Sequence, residues 1–368
     1  NWKAAIDANG GTPGLVNSVA ADNPDETAPA LIEAYPIGLD TVITTFDEKI
    51  ILDGLSTSNF TITTSTGETI IPTALIIDPN NAFIVGLKMP TTLLFGIIYT
   101  VSATGISDCS GNEINLFNQA IFGLPEPALA NDVVINEVLF NPISEGVDFV
   151  EIYNRSAKII DLSTLIIAEM DLFDTTEVNE YDNISLSGRL LLPGQYLCLS
   201  SDPDLIAAQY FSIDTGNFLT VNELPNYADN EGIVAILDNT LNEIDRLHFF
   251  DDWHYALLSN QDGVSLERIN YDYTTQDNNN WFSAASDVHF ATPGYQNSNF
   301  GAYTSSGTVA VSSPVFSPDG DGFNDLMVIT YSTETEGFTG RFQIFSAQGK
   351  LVKDLTGNIT LSREGFIT

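Results

Sequence analysis

The sequence predicts an all-β protein made of β-sandwich modules in tandem. Apolar stretches of strand length, rich in β-branched and aromatic residues, recur along the chain and are separated by Gly, Pro, Asn and Asp. Helical periodicity is scarce, and the one good helix candidate is SDPDLIAAQYF (201–211), where Ser201 or Asp202 can cap and Pro203 suits the first turn. At 368 residues with 43% hydrophobic residues, the chain is long enough for two or three modules that each bury a core.

The charge of the chain excludes two classes of partner. The sequence holds 12 Lys+Arg against 49 Asp+Glu, a formal net charge of −37. Nucleic-acid binding needs clustered Lys and Arg, so we expect no nucleic-acid partner. A basic interfacial helix and a run of about 18 apolar residues are both lacking in the sequence, so we expect no direct membrane insertion. The acidity fits an extracellular surface or one that meets divalent cations, and solubility alone explains most of these carboxylates.

The chain begins with NWKAAIDANGGTPGLVNS (residues 1–18), which resembles the later passage NWFSAASDVHFATPGYQNS (residues 280–298). Both start with Asn-Trp and end with Thr-Pro-Gly followed by Asn-Ser, and the later passage is one residue longer. Because residues 280–298 end a module, we interpret residues 1–18 as the closing segment of a preceding module and residues 19–27 as a polar linker. The sequence therefore predicts that this chain is part of a longer protein of repeated modules.

Residues 28–124 form the first predicted module. Its strands alternate Thr, Val, Ile and Phe, and one strand runs into the turn SDCSGN, where Gly111 or Asn112 can take a positive φ. The opening proline phrase and this Asp-Cys-Ser-Gly-Asn turn resemble those of bacterial Ig-like domains. A fibronectin-like sandwich is the alternative, and it would serve the same spacer purpose.

Residues 131–298 form the second predicted module. VVINEVLFNP, DFVEIYNRS, LLLPGQYLCLS, GVSLERI and the closing passage 280–298 occur in that order and resemble the bacterial lamin-tail domain, which implies an Ig-like β-sandwich. In DFVEIYN, alternation puts Phe149, Glu151 and Tyr153 on one face and Val150 and Ile152 on the other. We expect Arg268 of SLERI to pair with Glu151 or Glu137 if the strands bring them together.

Residues 308–368 form the third predicted module. The phrase FSPDGDGFND, a following strand and the hairpin around FQIFSAQGKLVKDL resemble flagellar-hook-cap-type Ig-like domains and the gliding-motility-associated C-terminal domains of Bacteroidetes surface proteins. Those domains continue beyond the phrase at which this chain stops. The module is therefore expected to be incomplete.

A calcium site is the best candidate for a metal centre. The loop of the third module places oxygen ligands at close spacing with intervening Gly, so it can curl around a hard cation; the candidate ligands are Asp319, Asp321, Asn324 and Asp325. The match to an EF-hand loop is incomplete, since Phe323 occupies a ligand position and no following Glu completes the set. The alternative is a structural Asp-Gly turn whose carboxylates accept backbone N–H groups. A calcium ion here would be structural.

The sequence predicts no catalytic residue. RLHFFDDWHY offers metal ligands in His248, Asp251, Asp252 and His254, but its aromatic residues are typical of a core. GVSLE lacks the second Gly of a nucleophile elbow. The cysteines, Cys109 and Cys198, lie in different modules, so we expect no disulfide between them, and their redox state is not predicted. Three sandwich modules with three histidines argue against an enzyme.

Taken together, these resemblances imply a non-catalytic modular protein of a Bacteroidetes-like bacterium, exported by the type 9 secretion system to the cell surface or the medium. We expect it to act in adhesion, a gliding-associated surface function or docking to another surface component, with a protein partner on the outer surface. The alternative is the accessory region of a secreted nuclease, phosphatase or protease whose catalytic domain lies outside this chain. A sugar-binding role is a third possibility, because Tyr271 and Tyr273 stand among Asn and Asp in NYDYTTQDNNNW.

Overall fold

The computed structural model describes residues 4–8, 10–19, 25–212, 215–255, 258, 260–301, 308–313, 315–322, 325–333, 339–340, 342–345, 351–356 and 359–368. The chain divides into two compact units, Asn1–Glu126 and Pro127–Thr368. In the described ranges it is built of β-strands with one α-helix, which confirms the all-β prediction. The predicted boundary between residues 131–298 and 308–368 stays a prediction.

The first unit contains two four-stranded antiparallel sheets. Its strands are β1 (Leu31–Pro36), β2 (Thr41–Phe46), β3 (Phe60–Thr64), β4 (Thr69–Ile70), β5 (Ala74–Ile77), β6 (Ile84–Lys88), β7 (Tyr99–Ala103) and β8 (Gln119–Phe122). The sheet orders are β1-β2-β6-β5 and β4-β3-β7-β8. Every second residue is buried along the central strands, as at Val42 and Phe46 of β2 and Phe60 and Ile62 of β3. Each sheet therefore buries one face, as the layers of a sandwich do.

The main body of the second unit is a larger sandwich. Its elements are β9 (Val133–Leu139), β10 (Phe149–Asn154), β11 (Ile160–Asp161), β12 (Leu165–Met170), β13 (Val178–Asn183), β14 (Leu190–Leu191), β15 (Tyr196–Ser200), α1 (Pro203–Gln209), β16 (Phe218–Thr220), β17 (Glu231–Asp238), β18 (Glu243–Phe250), β19 (Leu266–Arg268) and β20 (Trp281–Ser283). One sheet has the order β16-β15-β10-β9-β19-β20 and the other β13-β12-β17-β18, while β11 and β14 pair separately. One core cluster joins Val150 and Ile152 of β10 to Ile167 of β12 and Ile236 of β17, so the two sheets share a core.

The outer face of the six-stranded sheet is also covered. At one side α1 contributes Ile206 to a cluster with Phe149 and Cys198, which confirms that Phe149 lies on the face opposite Val150. The helix begins as the sequence predicts: the Asp202 side chain accepts the Leu205 N–H at 3.0 Å, and Pro203 occupies the first turn. The middle of this face is covered by the last part of the closing segment (residues 280–298), whose Thr292 and Gly294 bond to β9 and β10.

The remainder of the second unit consists of short strands. They are β21 (Thr308–Val311), β22 (Ile329–Ser332), β23 (Thr339–Gly340), β24 (Gln343–Phe345), β25 (Leu351–Asp354), β26 (Ile359–Thr360) and β27 (Glu364–Ile367). They form the sheet β21-β22-β27 and the pairs β23-β26 and β24-β25. Leu361 is the one buried hydrophobic residue in the described part of residues 308–368.

Candidate functional site

An open cleft of about 730 Å³ lies beside the edge strand β20 of the six-stranded sheet. Its lining combines aromatic side chains with carboxylate and amide groups, and consists of Asp252, Trp253, Ile269, Tyr273, Asp277, Asn278, Asn279, Trp281 and Phe282. Trp281 and Ile269 are buried beneath it, whereas Phe282 and Tyr273 are 40% and 43% exposed. The volume lies in the range of small-ligand pockets, and the lining is more polar than is usual for them.

Residues 270–280 form a loop that lines the cleft, and buried side chains hold this loop in place. Arg268 donates to the Tyr273 carbonyl at 3.1 Å, and the Trp281 indole N–H donates to the Thr275 carbonyl at 2.7 Å. The buried amide of Asn280 exchanges hydrogen bonds with the backbone of Asn270 at 2.9 and 3.0 Å. Since these anchors are buried, the loop is fixed by the core beneath it, and the site is preorganised.

The two tyrosines singled out in the sequence have different roles. Tyr273 lines the cleft. Tyr271 is stacked between Tyr153, at 4.1 Å between ring centroids, and Phe300, at 4.6 Å, and its hydroxyl contacts that of Tyr196. Both faces of the Tyr271 ring are therefore occupied, and this side chain supports the loop.

The histidines of RLHFFDDWHY are not brought together as a ligand set. His248 is bonded to Glu231 at 2.9 Å, while Nδ1 of His254 is bonded to the Ser283 hydroxyl at 2.8 Å. Burial lowers the pKa of His254 to about 4. Between them the chain leaves β18 for a short 3-10 helix, Asp251–Trp253, which ends strand alternation. Trp253, expected in the core, is partly buried against the core cluster and also lines the cleft.

Three fully buried glutamates form a row across neighbouring strands, a feature not predicted from the sequence. Glu151 of β10 is the register partner of Glu137 of β9, which in turn is the partner of Glu267 of β19. All three are 0% exposed. We call Glu137, Glu151 and Glu267 the glutamate row. Burial of a charge is costly unless hydrogen bonds compensate it, so such a row requires dedicated donors.

The closing segment supplies most of those donors. Thr292 donates its N–H to Glu137 at 2.9 Å, and its hydroxyl lies 3.0 Å from Glu137 Oε2 and 2.8 Å from Glu267 Oε1. Gly294 donates its N–H to Glu151 at 2.5 Å, in a left-handed conformation of φ +87° that favours glycine. Glu267 Oε2 also accepts hydrogen bonds from Ser298 and from both nitrogens of Asn299. The Thr-Pro-Gly and Asn-Ser residues of the motif are thus those that bind the glutamate row or lie against it.

The row holds at least one proton. The Thr292 hydroxyl has a single hydrogen but touches a carboxyl oxygen of both Glu137 and Glu267, so it donates to one and accepts from the other. Burial, together with the charge of Glu267, raises the pKa of Glu137 to about 8. We therefore place the proton on Glu137, whose O–H donates to Thr292, which donates to Glu267.

Arg268 does not pair with the glutamate row, so that expectation was wrong. Arg268 follows Glu267 in β19 and therefore points to the opposite face. Its guanidinium lies 3.6 Å from Asp245 Oδ2 and donates to the Ile135 carbonyl at 2.9 Å and to Thr275 at 2.5 Å. The cation thus anchors the loop of the cleft rather than neutralising the glutamates.

Of the four predicted calcium ligands, the structure brings three together. The carboxylates of Asp319, Asp321 and Asp325 each offer an oxygen within 4.8 Å of the others, while Asn324 lies outside the described residues. Asp325 also accepts the Gly320 N–H at 2.7 Å and the Gly322 N–H at 2.8 Å. A carboxylate offers about four lone-pair positions, so these bonds leave capacity for a cation. The donor set fits calcium and equally fits an Asp-Gly turn.

Removal of divalent cations tests this loop. If calcium bridges the three carboxylates, EDTA will lower the melting temperature of the transition that contains residues 308–368, because a ligand that binds only the folded state stabilises it. Asp321→Ala is expected to abolish the EDTA effect, and Asp204→Ala, an exposed residue of α1, to leave it intact. Calorimetry of the full chain with and without EDTA makes the measurement. A transition that is insensitive to EDTA would contradict the calcium prediction.

A second carboxylate group, not predicted from the sequence, lies in the first unit at the SDCSGN turn. Oxygens of Asp25, Glu48 and Asp108 lie within 4.8 Å of one another. Burial and the charges of the neighbouring carboxylates raise the pKa of Glu48. Asp108 accepts hydrogen bonds from Ser110 N–H at 2.9 Å and Asn112 N–H at 2.8 Å, which outweigh its burial and lower its pKa. Gly111 takes the positive φ, +92°, so Asp108 serves as the cap of this turn.

The two cysteines are free thiols. Cys198 of β15 is fully buried, and burial raises its pKa well above the ordinary value. This thiol therefore acts as a small apolar group, as expected from its strand.

No helix in the described ranges has the length and apolar character needed to cross a membrane. No family model matches the chain. No curated protein matches it either.

Solved structures provide three comparisons of low similarity. The chain is similar to the N-terminal part of the bacterial S-layer protein SbsC, at 15% identity and a TM-score of 0.25, over 47% of this chain and 41% of that chain. It is similar to a DUF4876 family protein from Bacteroides thetaiotaomicron, at 12% identity and a TM-score of 0.26, over 74% and 92%. It is also similar to the FN1–FN3 domains of chicken CNTN1, at 9% identity and a TM-score of 0.17, over 92% and 87%. The chain spans about two fifths of the S-layer chain, and similarity at this level carries no argument about function.

Proposed function

We propose that this chain is a non-catalytic part of a secreted or cell-surface protein that serves adhesion or docking, and that its cleft binds a glycan of the contacted surface. Export by the type 9 route and a gliding-associated role belong to the same proposal and rest on the motif resemblances. The observation that carries the adhesive role is the cleft between Trp253, Phe282 and the 270–280 loop.

The chemistry of the lining favours a sugar. A pyranose ring presents apolar C–H faces and a rim of hydroxyls, so it needs aromatic surface beside oxygen and amide groups. Phe282 and Tyr273 offer exposed rings, while Asn278 and Asn279 offer both donors and acceptors. Asp252 and Asp277 add acceptors on the same cleft. The carboxylates make an anionic sugar a poor ligand, so we propose a neutral one.

Glycan-array binding by the full chain tests this function. Phe282→Ala and Tyr273→Ala are each expected to weaken binding of a neutral glycan by about tenfold or more, since each removes one aromatic wall. Both residues are at least 40% exposed, so folding should be retained. Phe173→Ala is the matched control, because this ring is 99% exposed and lies outside the cleft. Binding that is unchanged in both cleft variants, or no binding to any glycan, would contradict the proposal.

A further inference from the structure

The N-terminal residues fold like the closing segment of the second unit. Three hydrogen bonds recur at aligned positions: one in the first turn, one in the turn after Thr-Pro-Gly, and one from a backbone N–H to the final serine hydroxyl. Among the N-terminal residues these hydrogen bonds join Gly10 to Asp7 at 3.0 Å, Leu15 to Thr12 at 3.1 Å and Ile6 to Ser18 at 3.0 Å. In the closing segment they join His289 to Ser286 at 3.3 Å, Tyr295 to Thr292 at 3.3 Å and Ala285 to Ser298 at 2.9 Å.

The backbone conformation repeats as well. Gly10 and Gly14 have φ of +85° and +76°, and the aligned His289 and Gly294 have φ of +63° and +87°. Both segments thus have a left-handed residue at these two positions; they differ at Phe290, with φ of +70°, whose aligned Gly11 is not left-handed, next to the one-residue difference in length. Residues 4–8 and 10–18, which we call the N-terminal copy, thus resemble the closing segment in these hydrogen bonds and angles as well as in sequence; Asn1, Trp2 and Asn9 lie outside the described residues.

The two segments differ in what covers them. Pro293, Gly294 and Asn297 are buried against the sandwich of the second unit. The aligned Pro13, Gly14 and Asn17 are exposed, and the side chains between them, Leu15 and Val16, are 78% and 81% exposed. The Thr12 hydroxyl, aligned with the one that joins two glutamates, bonds weakly to Asn17 at 3.5 Å. The residues that make the contacts in the closing segment are therefore presented without a counterpart of the glutamate row beside them in the described part of the first unit.

We infer that the N-terminal copy is a docking segment for a β-sandwich that carries a row of three buried carboxylates on adjacent strands, as the second unit does. Thr12 would bridge two of the carboxylates and the Gly14 N–H would bind the third. Asn17 and Ser18 would fix the end of the segment, as Asn297 and Ser298 do against Asn136 and Glu267. The partner is thus defined by its hydrogen-bond acceptors. It is a β-sandwich of the same design, with an outer sheet face that is free to bind a Thr-Pro-Gly segment.

A graft within the full chain tests the inference, because the second unit is itself such an acceptor. Residues 6–11 replace residues 285–290, Ala291 is kept, and residues 12–18 replace residues 292–298. The graft is expected to melt within about 5 °C of the parent. Thr292→Val is expected to lower the melting temperature by a similar amount in graft and parent, since this hydroxyl joins Glu137 to Glu267 in both.

A second graft provides the matched control. It carries the same new residues at the substituted positions in scrambled order, which moves the glycines away from position 289, where φ is positive. This control is expected to melt about 10 °C or more below the first graft. The inference is overturned if the first graft is no more stable than the scrambled one, or if Thr292→Val has no effect in the first graft.

Discussion

Replacing Glu267 with Gln should destabilise the second unit by about 2–4 kcal/mol, whereas replacing Glu137 with Gln should change its stability by less than about 1 kcal/mol. Glu267 accepts from Thr292, Ser298 and Asn299, so every neighbour of its carboxylate is a donor. A glutamine at 267 turns one acceptor into a donor that faces other donors. A glutamine at 137 instead mimics the protonated acid: its carbonyl accepts from Ser265 and the Thr292 N–H, and its amide donates to the Thr292 hydroxyl.

Urea unfolding at pH 5, where few of the raised-pKa carboxyls have begun to oppose folding, measures the difference by tryptophan fluorescence, since Trp281 is 2% exposed in the folded second unit. Glu223→Gln removes the same charge from an exposed site and is expected to have no effect. The two buried variants are isosteric, and each replaces one carboxyl group of the glutamate row with an amide. Equal losses of stability in both would show that the proton does not lie on Glu137.

The stability of the second unit should fall as the pH rises from 6.5 to 9. The pKa of Glu137 is raised to about 8 in the folded state from an ordinary value of 4.5. Between these two values the folded state binds a proton that the unfolded state has released. The stabilisation is therefore complete below pH 4.5 and is lost as the pH rises through 8. About 2 kcal/mol of this loss falls above pH 6.5.

Other buried groups that titrate determine the pH range in which this measurement is informative. Burial raises the pKa of Asp148 to about 7 and that of Glu151 well above its ordinary value, so both act in the same direction as Glu137. His254, with a pKa lowered to about 4, acts in the opposite direction but only below about pH 6.5. Urea unfolding of parent and Glu137→Gln across pH 6.5 to 9 isolates the contribution of Glu137. Unfolding free energies that change with pH in parallel in the parent and in Glu137→Gln would contradict the predicted contribution of Glu137.

The strands, the helix and the alternation within β10 were predictable because they depend on local patterns. SDPDLIAAQYF carries its own cap and first-turn proline, and DFVEIYN carries its own two faces. Arg268 was placed wrongly because its face depends on register: the pairing of Glu267 with Glu137 puts the next residue on the other side of the sheet. Because successive residues of a strand point to opposite faces, this register places the Arg268 side chain against the loop of the cleft and not against the glutamate row.

The glutamate row could not be predicted from spacing along the chain. Its members come from three strands that are distant in sequence, and in so acidic a chain no pair of carboxylates stands out. A β-bulge adds to the difficulty: Glu151 is paired with Glu137 but Ile152 with Ile135, so Asn136 is an extra residue in β9. From this position its amide reaches both Glu151, at 2.7 Å, and Asn297, at 2.6 Å. One signal was available, namely the repetition of Thr-Pro-Gly and Asn-Ser, whose small polar groups suit carboxylate acceptors.

The acidic loop of the third predicted module and the cleft differ in how far sequence reasoning reaches. The convergence of Asp319, Asp321 and Asp325 was predictable because these residues are sequence neighbours; calcium binding stays a prediction. The cleft was not predictable because Trp253 and Phe282 lie far apart in sequence and meet only through the pairing of β19 with β20 and the turn after β18. Tyr273 was found from its neighbours Asn and Asp, but its separation from the stacked Tyr271 needed the fold.

The glutamate row also sets an order of events during synthesis. Glu137 and Thr292 are 155 residues apart, so the acceptors on β9 are made long before their donors. Until residue 299 has left the ribosome, the sheet cannot bury these carboxylates without unpaired charge, and its outer face must stay hydrated. Closure of the sandwich is therefore a late, C-terminal step. A chain interrupted anywhere before that point leaves the outer face of this sheet without the donors of its glutamate row.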